Sequence, residues 1–157
     1  MNGAKTMANE PILVVDDNPL NLKLARLLLD TESYQVRTAE HAPAALAILE
    51  TFHPHLILMD IQLPGMDGLE LTRRLRTNPS MRDVIILALT AYAMEADEIK
   101  ALDAGCDGYI AKPLDTRSLP NVVRAYLDGQ AGRRRHTPPA DPPYHESPSS
   151  VQVLDIV

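Results

Sequence analysis

The sequence predicts an α/β fold, a doubly wound (βα)5 sandwich built around a five-stranded parallel sheet. Short apolar runs alternate five times with longer segments of helical period, which is the signature of repeated βα units. Four of the five runs also end in a polar residue, as strands do where a parallel sheet opens into its functional rim. At 157 residues the chain holds one ordinary domain with some length to spare.

The first run, Ile12-Leu13-Val14-Val15, ends in Asp16-Asp17. Pro19 then opens a helix, since its missing N–H is no loss in a first turn, and Leu20, Leu24, Leu27 and Leu28 are expected to share one face. Tyr34 to Ala39 alternates like a strand with a more exposed face, and Ala42 to Phe52 follows as an Ala-rich helix with Pro43 in its first turn. Leu56-Ile57-Leu58-Met59 is apolar throughout, as a strand buried on both faces should be, and it ends in Asp60. The third helix takes Leu69, Leu71 and Leu75 and stops near Asn78-Pro79.

Val84 to Leu89 ends in Thr90, and a fourth helix runs from about Met94 to Ala104, where Gly105 supplies a left-handed stop. Gly108 to Ala111 is the last strand and leads to Lys112-Pro113. Asp115 is the expected N-cap of a fifth helix carrying Leu119, Val122, Val123 and Tyr126, and Pro120 lies late in its first turn. The expected boundaries are an N-terminal segment over residues 1–10, a folded domain over 11–127 and a Pro-rich tail over 128–157. The tail holds Arg133-Arg134-Arg135 and an apolar end, Val151 to Val157, of high strand propensity.

Composition removes several functions. Aromatic residues make up 4% of the chain, too few for a base-stacking platform, and a formal charge of -6 is the wrong sign for holding polyanions. Direct nucleic-acid binding is therefore not expected. The longest apolar stretch, Val84 to Leu89, falls far short of the roughly 18–20 residues of a membrane helix. The single cysteine, Cys106, cannot form an internal disulfide and reads as a packed thiol, so a reducing, cytoplasmic setting is expected. No GxxxxGK[ST] or GxGxxG follows the first strand, which speaks against nucleotide binding.

The polar strand ends form a chemical set. Asp16, Asp17 and Asp60 together would repel one another unless a cation sits among them, and oxygen ligands without His or Cys favour Mg2+. Thr90 offers a hydroxyl and Lys112 a point positive charge, both suited to phosphoryl oxygens. If the anion is a phosphoryl group, the central carboxylate, Asp60, is the natural nucleophile. His53 and His55 lie before the third strand, at the opposite end of the sheet, and read as solvated. Asp67 and Glu70 read as first-turn charges of the third helix.

The segments ILVVDDNPLN, LILMDIQLPGMDG, ILALTAYAM and GCDGYIAKPL, in this order, resemble the receiver domains of two-component response regulators, especially the single-domain and hybrid-kinase type. The resemblance spans residue 11 to about 127. It implies a flavodoxin-like sheet in the order 2-1-3-4-5. It also implies that Asp60 accepts a phosphoryl group from a phosphohistidine of a sensor histidine kinase or phosphotransfer protein. Asp16, Asp17, Asp60 and the backbone carbonyl of Gln62 would hold Mg2+, with Asp17 the more direct acidic ligand; Thr90 and Lys112 would contact the phosphoryl oxygens. The Lys112-Pro113 peptide would be cis. Tyr109 would be the switch partner of Thr90, its ring turning inward and changing the face made by the fourth helix, fifth strand and fifth helix. Pro64, Gly65 and Gly68 look like the turn chemistry of the loop after Asp60.

The resulting expectation is a switch that catalyses only its own phosphorylation and dephosphorylation and acts on downstream protein targets. Any homodimer would use the same face. The competing reading, an Mg-dependent aspartate-nucleophile phosphatase of dehalogenase type, calls for a second Asp two residues after the nucleophile, where this chain has Gln62. Both readings require Asp60 to be reachable from solvent. The kinase, the target and the lifetime of the phosphorylated state are not legible in the residues.

Overall fold

The computed structural model describes residues 9–91 and 95–133. Tyr92, Met94 and the tail from Arg134 through Val151 to Val157 therefore lie outside the described residues, as does most of the 1–10 segment. The elements follow in the order β1 (Pro11–Val15), α1 (Pro19–Asp30), β2 (Gln35–Ala39), α2 (Ala42–Leu49), β3 (Leu56–Asp60), α3 (Gly68–Arg76), β4 (Ile85–Thr90), α4 (Glu95–Ala104), β5 (Gly108–Ala111) and α5 (Ser118–Arg133). A single turn of 3-10 helix, Pro79–Met81, precedes β4. The sheet is parallel with the order β2-β1-β3-β4-β5.

Strand alternation divides the core in two. Ile12, Val14, Leu56, Leu58, Ile85 and Leu87 pack on one side with residues of α1 and α5. Leu13, Val15, Ile57, Met59, Ile86 and Ala88 pack on the other with residues of α2, α3 and α4. Helices on both faces explain why β3 and β4 are buried at every position.

Local chemistry sets the helix starts. Asn18 caps α1 by accepting from the Leu20 N–H, the His41 ring nitrogen Nδ1 caps α2 by accepting from Ala44 N–H, and Asp67 caps α3 by accepting from Glu70 N–H. Asp67 is thus the cap itself rather than a first-turn charge. Asp115 caps the first turn of α5 as expected: its Oδ1 accepts from Arg117 N–H at 3.0 Å and its carbonyl accepts from Leu119 N–H at 3.0 Å, while the regular helical run begins at Ser118 because Pro120 has no N–H to donate. Gly105, at φ +112, ends α4 in the left-handed conformation expected of it.

Other expectations need correction. The buried face of α1 is Leu22, Ala25 and Leu29, whereas Leu20 is 74% and Leu27 58% exposed. Leucines lie on every side of this helix, so their spacing does not fix its rotation. The second helix ends at Leu49, and Phe52 belongs to the turn after it. The fifth continues through Gly129 to Arg133, past the expected break at Leu127.

At the amino-terminal end of the sheet, Arg76 ties the loops together. Its guanidinium donates to the carbonyls of Gly105 at 2.9 Å, Met81 at 2.9 Å and Val84 at 2.8 Å, and pairs with Asp107 at 2.9 Å. Asp107 in turn accepts from Ile86 N–H. His53 and His55 are exposed at this same end, far along the strands from the carboxylates.

Candidate functional site

The site follows from the period of two along three strands. Val14, Leu58 and Ile110 belong to one core cluster, and two residues beyond them stand Asp16, Asp60 and Lys112. Strand register carries these tips to the same end of the sheet. The Lys112 ammonium sits 3.0 Å from Asp60 Oδ2 and 3.2 Å from Asp16 Oδ2. Asp17 completes the group: one carboxylate oxygen from each of Asp16, Asp17 and Asp60 falls within 4.8 Å of the others.

Backbone groups fix the carboxylates. Asp60 Oδ1 accepts from Gln62 N–H at 2.9 Å. Asp16 accepts from Asn18 N–H at 2.9 Å and from the Asn21 side chain at 3.2 Å. The sequence reading did not assign Asn18 and Asn21 to the site, although the NPLN run directly after the acid pair was the available signal. Asp17 is exposed, Asp16 is fully buried and Asp60 is 2% exposed. Against the expectation of a carboxylate open to solvent, Asp60 is buried in this structure, and the Lys112 side chain paired with it is 19% exposed.

Burial is the strongest influence on Asp60 and raises its pKa above the usual 3.8, even though the Gln62 N–H and Lys112 pull the other way; Asp16 adds to the rise. Burial opposes the charge on Lys112, but the pairs with Asp60 and Asp16 outweigh it and raise the lysine above its ordinary value. These three groups form a compact, charged assembly that holds its ammonium firmly. Oxygen donors of this density, one of them open to solvent, suit a hard divalent cation.

Thr90, the last residue of β4, is buried, and its carbonyl accepts from Lys112 N–H at 2.8 Å. Tyr109 pairs in register with Ala88 and packs in the core cluster beside α4. Alternation puts Thr90, two residues past Ala88, on the face that Tyr109 occupies. The carboxylates and the Thr90–Tyr109 pair therefore belong to opposite faces of one rim. The ring of Tyr109 is turned in, with 3% exposed. The Lys112-Pro113 peptide is cis.

The loop after Asp60 differs from its expected chemistry in one respect. Gly65, at φ +78, is a turn glycine. Gly68 is instead the first residue of α3 and is buried against the Asp60 peptide. On the far side of this loop a cleft of about 550 Å3, walled by Pro43, Leu46, Pro64 and Met66, contains none of the site acids. Cys106 is buried beside Thr72, and burial pushes its thiol up to about 12, which makes it unreactive.

Residues 12–124 match the family described as the response regulator receiver domain. The chain is 38% identical over 116 residues to the polar-differentiation response regulator DivK of Brucella ovis, covering 74% of this chain and 94% of that one. Among solved structures it resembles a CheY-like receiver domain protein from Methanospirillum hungatei, with 33% identity, a TM-score of 0.72 and coverage of 80% and 99%. It also resembles the receiver domain of a sensor histidine kinase from Pseudomonas aeruginosa PAO1, solved with a magnesium ion in its active-site cleft. There the identity is 34%, the TM-score 0.70 and the coverage 77% and 99%. The dehalogenase-type phosphatase reading gains no support from these relatives, and Gln62 stands where that chemistry needs a second acid.

Proposed function

Since this chain belongs to the response regulator receiver domain family, we propose that it receives its signal as a phosphoryl group on Asp60, taken from a phosphohistidine of a histidine kinase or phosphotransfer protein. A carboxylate oxygen of Asp60 attacks phosphorus, the P–O bond forms as the P–N bond to the donor imidazole breaks, and the imidazole leaves with the bonding electrons. The observation that carries this reading is the placing of Asp60 between Gln62 N–H and the Lys112 ammonium, with Asp16 and Asp17 alongside.

Each residue then has a task. Gln62 N–H fixes the rotation of the Asp60 carboxylate. Lys112, held protonated by two carboxylates, supplies positive charge to the transferred oxygens. Asp16, Asp17, Asp60 and the Gln62 carbonyl are the groups suited to hold Mg2+, which when bound neutralises charge on the phosphoryl group. Thr90 offers its hydroxyl to a phosphoryl oxygen, and Tyr109, on the same face of the rim, is its neighbour in the switch, with its ring already packed inward before any phosphorylation. The surface made by α4, β5 and α5 is the output to protein targets and the surface for any dimer. The domain is assigned to residues 11–127, with the rest of α5 and the Pro-rich segment as an appendage to it, in a cytoplasmic protein whose only catalysis is its own phosphorylation and dephosphorylation.

Incubation with Mg2+ and acetyl phosphate should add one phosphoryl group by mass, and Asp60→Asn should remove the addition. An Asp60→Asn protein labelled to the same extent as the wild type would exclude the assignment.

A further inference from the structure

We infer that Gly68 is a positioning residue for the phosphoacceptor: the bare Cα at the start of α3 is what lets that helix press on the Asp60 peptide and fix where the carboxylate stands. The inference rests on the assignment of Asp60 as nucleophile. A methyl group at Gly68 would overlap the carbonyl oxygen of Asp60 and stand 2.8 Å from both the Asp60 carbonyl carbon and the Ile61 Cα. All three are backbone atoms of the strand end, and none can swing aside as a side chain would. No left-handed backbone is involved, so the requirement for glycine here is one of space.

Both sides of this contact are held. On the strand side, Ile61 N–H donates to the Leu89 carbonyl at 3.2 Å, and the Asp60 carboxylate accepts from Gln62 N–H. On the helix side, Asp67 caps the first turn and the fully buried Thr72 hydroxyl donates to the Gly68 carbonyl at 2.8 Å. The first turn of α3 is therefore a fixed seat. A side chain at position 68 must displace either that turn or the peptide carrying Asp60. A shift of the peptide moves the carboxylate relative to Lys112, now 3.0 Å away, and relative to the oxygens of Asp16 and Asp17 within 4.8 Å.

The test compares Gly68→Ala with Gly105→Ala in the full chain. Position 105 is also intolerant of a side chain, with a methyl group 2.7 Å from Arg76 Cγ, but it lies at the opposite end of the sheet. Two readouts are taken: the Gln62 amide resonance in the Mg2+-free protein, which reports the hydrogen bond to Asp60 without any reaction, and the rate of phosphorylation by saturating acetyl phosphate. Gly68→Ala should shift the Gln62 resonance and slow phosphorylation by roughly 10- to 100-fold, the scale of a misplacement near 1 Å. Gly105→Ala should lower the unfolding midpoint and leave both readouts unchanged.

Should Gly68→Ala fail to fold, Thr72→Val removes the hydroxyl that anchors the seat; it should change both readouts in the same direction, and Thr72→Ser should restore them. Wild-type values of both readouts in Gly68→Ala, or in a folded Thr72→Val if Gly68→Ala does not fold, would overturn the inference. So would equal slowing by Gly105→Ala. Persistent labelling of Asp60→Asn would instead overturn the underlying assignment.

Discussion

Replacing Lys112 with methionine keeps most of the side-chain length and removes the ammonium that faces two buried carboxylates. Asp60 at 3.0 Å and Asp16 at 3.2 Å lose their shared partner, while their mutual repulsion stays. Breaking a buried ion pair by deleting one member costs about 3–5 kcal/mol. Two features reduce the figure here: the ammonium is partly exposed, at 19%, and Asp60, already raised by burial, escapes part of the penalty by taking up a proton. The expected loss at neutral pH in EDTA is therefore about 2–3 kcal/mol. In urea, where slopes for small domains run about 1–3 kcal/mol per molar, the midpoint should fall by about 0.7–3 M. Mg2+ should narrow the deficit, because without the ammonium against Asp60 and Asp16 the variant binds the cation more tightly than the wild type and so gains more stability from it. Equilibrium unfolding by circular dichroism, in EDTA and in Mg2+, measures both quantities. Equal midpoints for wild type and Lys112→Met in EDTA, or a deficit that Mg2+ leaves untouched, would refute the electrostatic account of the site.

Asp60→Asn should raise the stability of the Mg2+-free protein at neutral pH. The folded-state pKa of Asp60 is raised, so folding favours its protonated form; the stability this contributes is complete below the ordinary value of 3.8 and is lost as pH rises through the folded-state value. The advantage of the variant should shrink on acidification, and a pH-independent difference in urea midpoints would contradict this. Arg76→Ala strips the carbonyls of Gly105, Met81 and Val84 of a charged donor and leaves Asp107 without its ion-pair partner. A loss of about 3–5 kcal/mol is expected, with phosphorylation of Asp60 retained below the melting transition; a loss under about 1 kcal/mol would show the clamp to be dispensable.

The five βα units are legible in the residues, because apolar runs of strand length and helical periods between them have few other uses. So is the meeting of three polar residues. Asp16, Asp60 and Lys112 each follow an apolar run, and parallel strands put such ends on one rim. The rotation of α1 is set by packing in the folded molecule, since leucines on all its sides satisfy several faces equally and burial selected Leu22, Ala25 and Leu29. The reach of Arg76 to Gly105 and Asp107, and the pressure of Gly68 on the Asp60 peptide, likewise arise only on folding. Those contacts join groups brought together by helix packing, and no local pattern encodes a neighbour that the chain reaches only after folding.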